Sequence, residues 1–337
     1  MLISCVSRRK DTEDIRYLTL LYCPRTIACM DYSFEIKKIL SREGGTKISC
    51  VIPAWNEGPR IGAVLIVAST YTYFDEIIVV DDGSTDDTAE VVKLFSNLDD
   101  RVKLIQNKVN KGKAGAIIKG VDKANGELIV ILDADLTGLK HKYLNKLIYP
   151  VLTKEYSMVI LDRAGDRSVA LGLSVFARLN GGERAFWKKD FQDIKVDSDS
   201  GYMLEQIMNL YYLDKELRIK TVYCSGLYTI FQYRKYGFFK GLRRYADMYI
   251  GMSKHSKIKD FYRQLIEIEE DRLGFLHKLY TRRKNFPLGI SILLAEFVLA
   301  VLRFLYLMAK EPIRFVNKRI RKKQEFTKEA LSSMRSK

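Results

Sequence analysis

Apolar residues in this chain gather into short unbroken runs that end in acids. The clearest run is Glu127-Leu128-Ile129-Val130-Ile131-Leu132, followed at once by Asp133-Ala134-Asp135. A continuous stretch of branched apolar side chains reads as a strand buried on both faces. Residues 75–80 repeat the pattern, with Ile77-Ile78-Val79-Val80 running into Asp81-Asp82-Gly83-Ser84-Thr85-Asp86. Gly83 permits a tight turn there, and Ser84, Thr85 or Asp86 can cap a following helix. Residues 47–53 make a third strand, stopped at Pro53, which has no N–H to give a ladder. Asn56 and Glu57 begin a helical stretch to about residue 73, and Asn110 opens another to about residue 125. Strands alternating with helices predict an α/β chain whose acids lie at the strand ends, where a parallel sheet exposes its functional edge.

Those acids are the candidate chemistry. Asp133 and Asp135, two apart, share a face of a strand and can act together, or a turn after Leu132 presents only one of them. Paired hard oxygen donors suit Mg2+ or Mn2+ carrying a diphosphate. An isolated pair would more simply cap a helix. Asp81 and Asp82 exceed what a cap needs, and a carboxylate there can accept from a base N–H or from sugar hydroxyls. Gly112 and Gly115, with Lys111 and Lys113, form a helix N-terminus suited to an anion or nucleotide. The P-loop and the Gly-x-Gly-x-x-Gly dinucleotide fingerprint are both absent.

The segments Ile52-Pro53-Ala54-Trp55-Asn56-Glu57, Val80-Asp81-Asp82-Gly83-Ser84-Thr85-Asp86, Asn110 to Gly115 and Asp133-Ala134-Asp135 stand in a telling order and spacing. In these motifs, over about residues 47–240, the chain resembles the family 2 glycosyltransferases. The resemblance implies the GT-A fold, a mostly parallel central sheet flanked by helices that binds a nucleotide-diphospho-sugar. It places Pro53, Asn56, Glu57 and Asp82 at the nucleoside, with Lys113 assisting. It makes Asp135 the ligand of Mg2+ or Mn2+ and turns Asp133 toward the ribose or the metal. It suggests a UDP-sugar and inversion. Asn180-Gly181-Gly182-Glu183-Arg184-Ala185-Phe186 is similar to an acceptor-side segment, and Gly201-Tyr202-Met203-Leu204-Glu205 to one whose acid lies by the acceptor. Glu205 is then a general base if the acceptor is a hydroxyl. Arg184 is a phosphate-positioning fork if the acceptor is a polyprenyl phosphate, or else a surface salt bridge. Lys235-Tyr236-Gly237 and Gly241 resemble a segment of members acting on dolichyl or other polyprenyl phosphates. One departure stands out. Where many relatives supply a metal-binding His, this chain reads Gly226-Leu227-Tyr228-Thr229-Ile230, and the nearest His is His255.

Composition changes the picture at the two ends. Residues 1–45 read as an N-terminal extension outside the resemblance. Asp11, Glu13 and Asp14 interrupt any signal-peptide pattern, and Met30 offers a natural start, so the first 29 residues read as a misassigned start or a disordered leader. The transferase domain is expected over residues 46–245, and a helical, membrane-associating or dimerising region over 246–337. The net charge is +16, and residues 281–337 hold fourteen Lys or Arg against four Glu, or +10. Residues 286–309 are apolar except for Glu296 and Arg303. Those two charges would cost a simple membrane span roughly 5 kcal/mol. An interfacial or re-entrant helix, a helix buried in a homodimer and a true span remain the three readings. Nucleic acid is a poorer partner than an anionic membrane surface, because no recognition motif accompanies the charge. Five cysteines without a Cys-x-x-Cys, and three His, argue against a zinc site or disulfide framework.

The expected protein is a metal-dependent sugar transferase, peripheral or monotopic at the cytoplasmic face of a membrane. Its acceptor would be a polyprenyl phosphate or a membrane-proximal glycan. A soluble-acceptor transferase of the glucosyl-3-phosphoglycerate synthase type is opposed by the basic, apolar tail. A non-catalytic membrane-surface scaffold is opposed by the intact Asp82, Asp133 and Asp135.

Overall fold

A computed structural model describes residues 32–41, 44–163, 180–194, 196 and 203–229, with single positions at 237, 239, 243, 260, 263, 264 and 268. In chain order the elements are α1 (Ser33–Leu40), β1 (Ile48–Ala54), α2 (Gly58–Thr70), β2 (Glu76–Asp81), α3 (Thr88–Leu98), β3 (Val102–Gln106), α4 (Gly112–Lys123) and β4 (Leu128–Ile131). There follow β5 (Leu136–Thr137), α5 (His141–Leu152), β6 (Met158–Asp162), β7 (Arg184–Trp187), α6 (Lys188–Gln192), α7 (Leu204–Asp214), β8 (Ile219–Tyr223) and β9 (Tyr228–Thr229).

The apolar runs become the centre of a seven-stranded sheet of order β3-β2-β1-β4-β7-β6-β8. All pairings are parallel except those of β7, which runs antiparallel between β4 and β6. This is the mostly parallel, helix-flanked α/β architecture expected of a GT-A domain. Every residue of β1, β2, β4 and β6 is buried. Successive strand side chains point to opposite faces, so each strand feeds two cores. Cys50, Ile52, Ile77, Val79, Leu128 and Val130 pack with Val64 and Leu65 of α2 and Leu144 and Leu147 of α5. Val51, Ile78, Val80, Ile129 and Ile131 pack with Ala116 and Ile117 of α4 and Met208 and Tyr212 of α7.

The structure corrects one strand boundary. Pro53 does not end its strand. It pairs with Val80, and β1 continues to Ala54. β4 has already stopped opposite Val51, so Pro53 has a ladder neighbour on one side only, where a missing N–H is tolerated. Residues 32–41, grouped with the extension in sequence, belong to the body. Ile36 is buried in the first core, Tyr32 stacks on Tyr149 with centroids 4.3 Å apart, and Tyr73 Oη donates to Ser33 O at 2.8 Å. Beyond the expected domain end at 245, Gln264 and Ile268 are buried, Ile268 within the second core, and Arg263 pairs with Asp214 at the end of α7. No helix among the described residues is long and apolar enough to cross a membrane, and 286–309 lies outside them.

The amino-terminal edge of the sheet is tied together by one carboxylate. Glu76 accepts from Ser49 Oγ at 2.6 Å, Lys103 Nζ at 2.6 Å and Asn125 Nδ2 at 3.1 Å, and also from Asn125 N. Burial alone would raise its pKa, but these donors overcome it and pull the carboxyl down to about 2. A depressed pKa contributes stability that is complete above the unfolded value of about 4.3 and is lost as pH falls through about 2. Glu76→Gln should therefore cost about 1–3 kcal/mol at neutral pH in denaturant unfolding. The gap to the wild type should close on acidification across that window; a gap that stays constant would show that the ionised carboxylate is not the cause.

Candidate active site

At the opposite, carboxyl-terminal edge the strand ends carry the motif acids. The turns after β1 and β2 are laced together. Asn56, at φ 54°, accepts from Thr85 N through Oδ1 at 2.8 Å, and its own N–H donates to Ser84 Oγ at 2.9 Å. Asn is among the residues that tolerate this left-handed conformation. Glu57 N donates to Thr88 Oγ1 at 2.9 Å, and the Glu57 carboxylate pairs with Arg60. Asp81 accepts from Ser84 N at 3.1 Å, closing the turn around Gly83 at φ 71°. Asp82 is 2% exposed and accepts from Asn107 Nδ2 at 2.7 Å and from Lys111 N at 2.9 and 3.1 Å. It thereby pins the loop that starts α4. Pro53, Asn56, Glu57 and Asp82 thus come together as two interlocked turns, with Glu57 and Asp82 already engaged by the protein.

Next to them lies an alternating chain of charges. Lys113, near the start of α4, places Nζ 2.8 Å from Asp133 Oδ1 and 3.0 Å from Glu205 Oε1 of α7. The other Asp133 oxygen lies 3.1 Å from Arg163 NH1, just beyond β6, and Arg163 Nε lies 3.1 Å from Glu183 Oε2. Burial works against the charge on Lys113, but Asp133 and Glu205 outweigh it and hold its pKa up. For Arg163, Glu183 and Asp133 likewise outweigh burial. Glu183 is the exception among these acids. It is fully buried, among the described residues neither oxygen has an aligned hydrogen-bond partner, and its contact with Arg163 is an ion pair. Burial, only partly countered by Arg163, pushes its pKa up to about 7. Carboxylates outnumber cations here: Asp133, Asp135, Glu183 and Glu205 against Lys113, Arg163 and Arg184.

Sequence reasoning missed Arg163 and Glu183. The signal for Arg163 was available, since Met158-Val159-Ile160-Leu161-Asp162-Arg163 is another apolar run ending in charge. Glu183 lay inside a quoted segment but was overshadowed by Arg184. Arg184 itself is 1% exposed, and the pleat of β7 turns it toward α7 together with Phe186. Its Nε donates to Gly181 O at 2.7 Å and NH1 to Asn209 Oδ1 at 2.6 Å. Burial lowers its pKa to about 10. The guanidinium is therefore occupied inside the protein, not spread over the surface.

Asp133 and Asp135 flank Ala134 in the turn after β4, and both are half-buried. Among the described residues no three His, Cys, Asp or Glu side chains are gathered into a metal cage. The donor set fits the way Mg2+ is usually held, by one or two carboxylates completed by substrate phosphate and water. His255 and residues 201, 202, 235, 236 and 241 lie outside the described residues.

Gly182 lets the backbone lie on this cluster. A Cβ there would sit 2.5 Å from Lys113 Nζ and 2.6 Å from Asp133 Oδ1. Gly182→Ala must therefore move the two partners and leave the core untouched. The expected result is an unfolding midpoint within a few degrees of wild type and donor affinity weakened about tenfold, the scale of 1.4 kcal/mol. Titration of a nucleoside diphosphate checks it, and unchanged affinity would separate the Lys113–Asp133 pair from the donor.

Residues 49–217 match the family described as glycosyl transferase family 2. The glycosyltransferase AglD of Haloferax volcanii is 32% identical over 171 residues, covering 47% of this chain and 27% of the relative. A dolichyl-phosphate beta-glucosyltransferase of Mus musculus is 36% identical over 100 residues, 26% of this chain and 31% of the relative. These matches thus span about a third of the relatives' length or less. Among solved structures, a glucosyl-3-phosphoglycerate synthase from Mycobacterium tuberculosis, crystallised with Mn2+, UDP-glucose and glycerol 3-phosphate, superposes with a TM-score of 0.51. It shares 22% identity and covers 66% of this chain and 86% of its own, a likeness of fold. Strand-end acids, interlocked turns and a match over half the sequence converge: this chain belongs to glycosyl transferase family 2.

Proposed function

We propose that the chain moves a sugar from a nucleotide-diphospho-sugar, a UDP-sugar, to a polyprenyl phosphate or a membrane-proximal glycan. The observation that carries this reading is Lys113, whose ammonium joins Asp133 on the donor side to Glu205 on the acceptor side. The interlocked turns with Asn56, Glu57 and Asp82 hold the nucleoside in this reading. Mg2+ or Mn2+, held by Asp135 with help from Asp133, would offset the charge of the departing diphosphate. Lys113 adds a fixed ammonium to the same side. Glu205 is within an ion-pair distance of Lys113, so the acceptor acid is positioned by the residue that meets the donor.

The acceptor decides the rest. A hydroxyl must lose a proton, and Glu205 is the carboxylate placed to take it. A lipid phosphate is already anionic and needs a cation instead. With Arg184 buried, that task falls to Arg163, 22% exposed and offering a planar fork. The dolichyl-phosphate transferases among the relatives support a lipid phosphate, as does the basic, apolar 281–337 segment, which combines insertion with attraction to anionic lipid.

Three experiments test the reading. A donor-hydrolysis screen over nucleotide sugars, with and without Mn2+, should find one productive donor, and Asp135→Ala should abolish that metal-dependent turnover in a folded protein. Turnover retained by Asp135→Ala would remove its metal role. With anionic liposomes at low salt the full chain should co-sediment; a chain left in the supernatant ends the membrane part of the reading. On a hydroxyl acceptor Glu205→Gln should lower turnover about a hundredfold or more, the scale of a lost general base. On a polyprenyl phosphate in the same liposomes the loss should be mild and Arg163→Ala the more damaging change. Both variants near wild type on both acceptors would sink both assignments.

A further inference from the structure

A buried polar chain leaves the active site in the direction of the C-terminal part of the protein. Gln264 is 0% exposed and accepts from Asn209 Nδ2 at 3.0 Å. Asn209 Oδ1 in turn accepts from Arg184 NH1 at 2.6 Å, and Arg184 Nε donates to Gly181 O at 2.7 Å. The direction of this chain is fixed by chemistry. A guanidinium cannot accept, so Asn209 must turn its oxygen to Arg184 and its NH2 away, and only an acceptor can satisfy it there. Gln264 supplies that acceptor, and its own Nε2 is buried without a partner among the described residues, so the arrangement is maintained at a cost. A second tie runs alongside, from Gln206 Nε2 to Asn180 Oδ1 at 3.4 Å.

The far end of the chain is the turn 180–183. It presses Gly182 on the Lys113–Asp133 pair and sets Glu183 beside Arg163. From this we infer that Gln264 is a positioning residue for the transfer reaction, holding the 181–183 turn in register with the charged cluster through Asn209 and Arg184. The inference rests on the proposed transfer activity for its kinetic test. The residue acts on the turn and not on the nucleoside site, which is built from the β1 and β2 turns.

Gln264→Leu removes the acceptor at nearly constant volume, while Gln264→Glu keeps it. The leucine variant should lower kcat about tenfold to a hundredfold, the scale of a small misplacement of reacting groups. Its affinity for a free nucleoside, which would meet only the β1 and β2 turns, should stay within about twofold, and the glutamate variant should recover most of the turnover. Hydrogen exchange at the backbone amides of residues 181–183 gives a readout without any substrate. It should quicken in the leucine variant and not in the glutamate one, and that result stands even if no nucleotide sugar is ever turned over. Unchanged exchange in Gln264→Leu overturns the inference. So does an equal loss of nucleoside affinity and turnover in both variants, the pattern of a residue needed only for folding.

Discussion

Everything at the carboxyl edge depends on one ammonium standing between two acids. Lys113 Nζ lies within 3.0 Å of both Asp133 and Glu205. Without a cation between them, two carboxylates this far out of water would repel each other. Arg163 repeats the device between Asp133 and Glu183, so charge alternates across the site. Such an arrangement is costly to desolvate and contributes little net stability, which makes function the better reason for keeping it. It also constrains its surroundings, since a Cβ at 182 would fit only by displacing Lys113 Nζ and Asp133 Oδ1.

Two buried glutamates show how the fold separates stability from chemistry. Glu76, at the amino edge, is surrounded by donors and its pKa falls to about 2. Glu183, at the carboxyl edge, has no aligned hydrogen-bond donor among the described residues and rises to about 7. Burial acts on both in the same direction; the donors overcome it at Glu76, whereas at Glu183 Arg163 counters it only in part and Asp133 adds to it. One carboxylate clamps β1, β2, β3 and the end of α4 together. The other, its pKa pushed up by burial, stands beside Arg163 among the groups that would carry the reaction.

Much of this was legible in the sequence. Parallel strands buried on both faces need unbroken apolar runs, so β1, β2 and β4 could be read within one or two residues, and the acids that end β2 and β4 marked the working edge. The partners of those acids were not legible. Asp82 is satisfied by Asn107 and Lys111, and no local pattern announces a contact that far along the chain. The burial of Arg184 was not legible because β7 is only four residues long, too short to show its alternation, and lies between two strands that precede it in sequence. The helix Ser33–Leu40 was hard to read because Ile36 is its one fully buried residue, with Ile39 and Leu40 only partly buried against the core among charged neighbours.

The antiparallel strand explains why the site could form where it did. In a purely parallel sheet only carboxyl ends of strands meet at the working edge. β7 runs the other way between β4 and β6, so its amino end arrives there instead. That reversal brings Glu183 to the side of Asp133 at the end of β4 and Arg163 at the end of β6. It also turns Arg184, one residue on, to the opposite face, beneath α7 and within reach of Asn209. A parallel strand in the same slot would present its last residues to the cleft and leave its first ones at the amino edge, near Glu76. The acidic cluster and the buried relay to Gln264 are therefore two faces of one reversed strand, and the turn 180–183 is where they join.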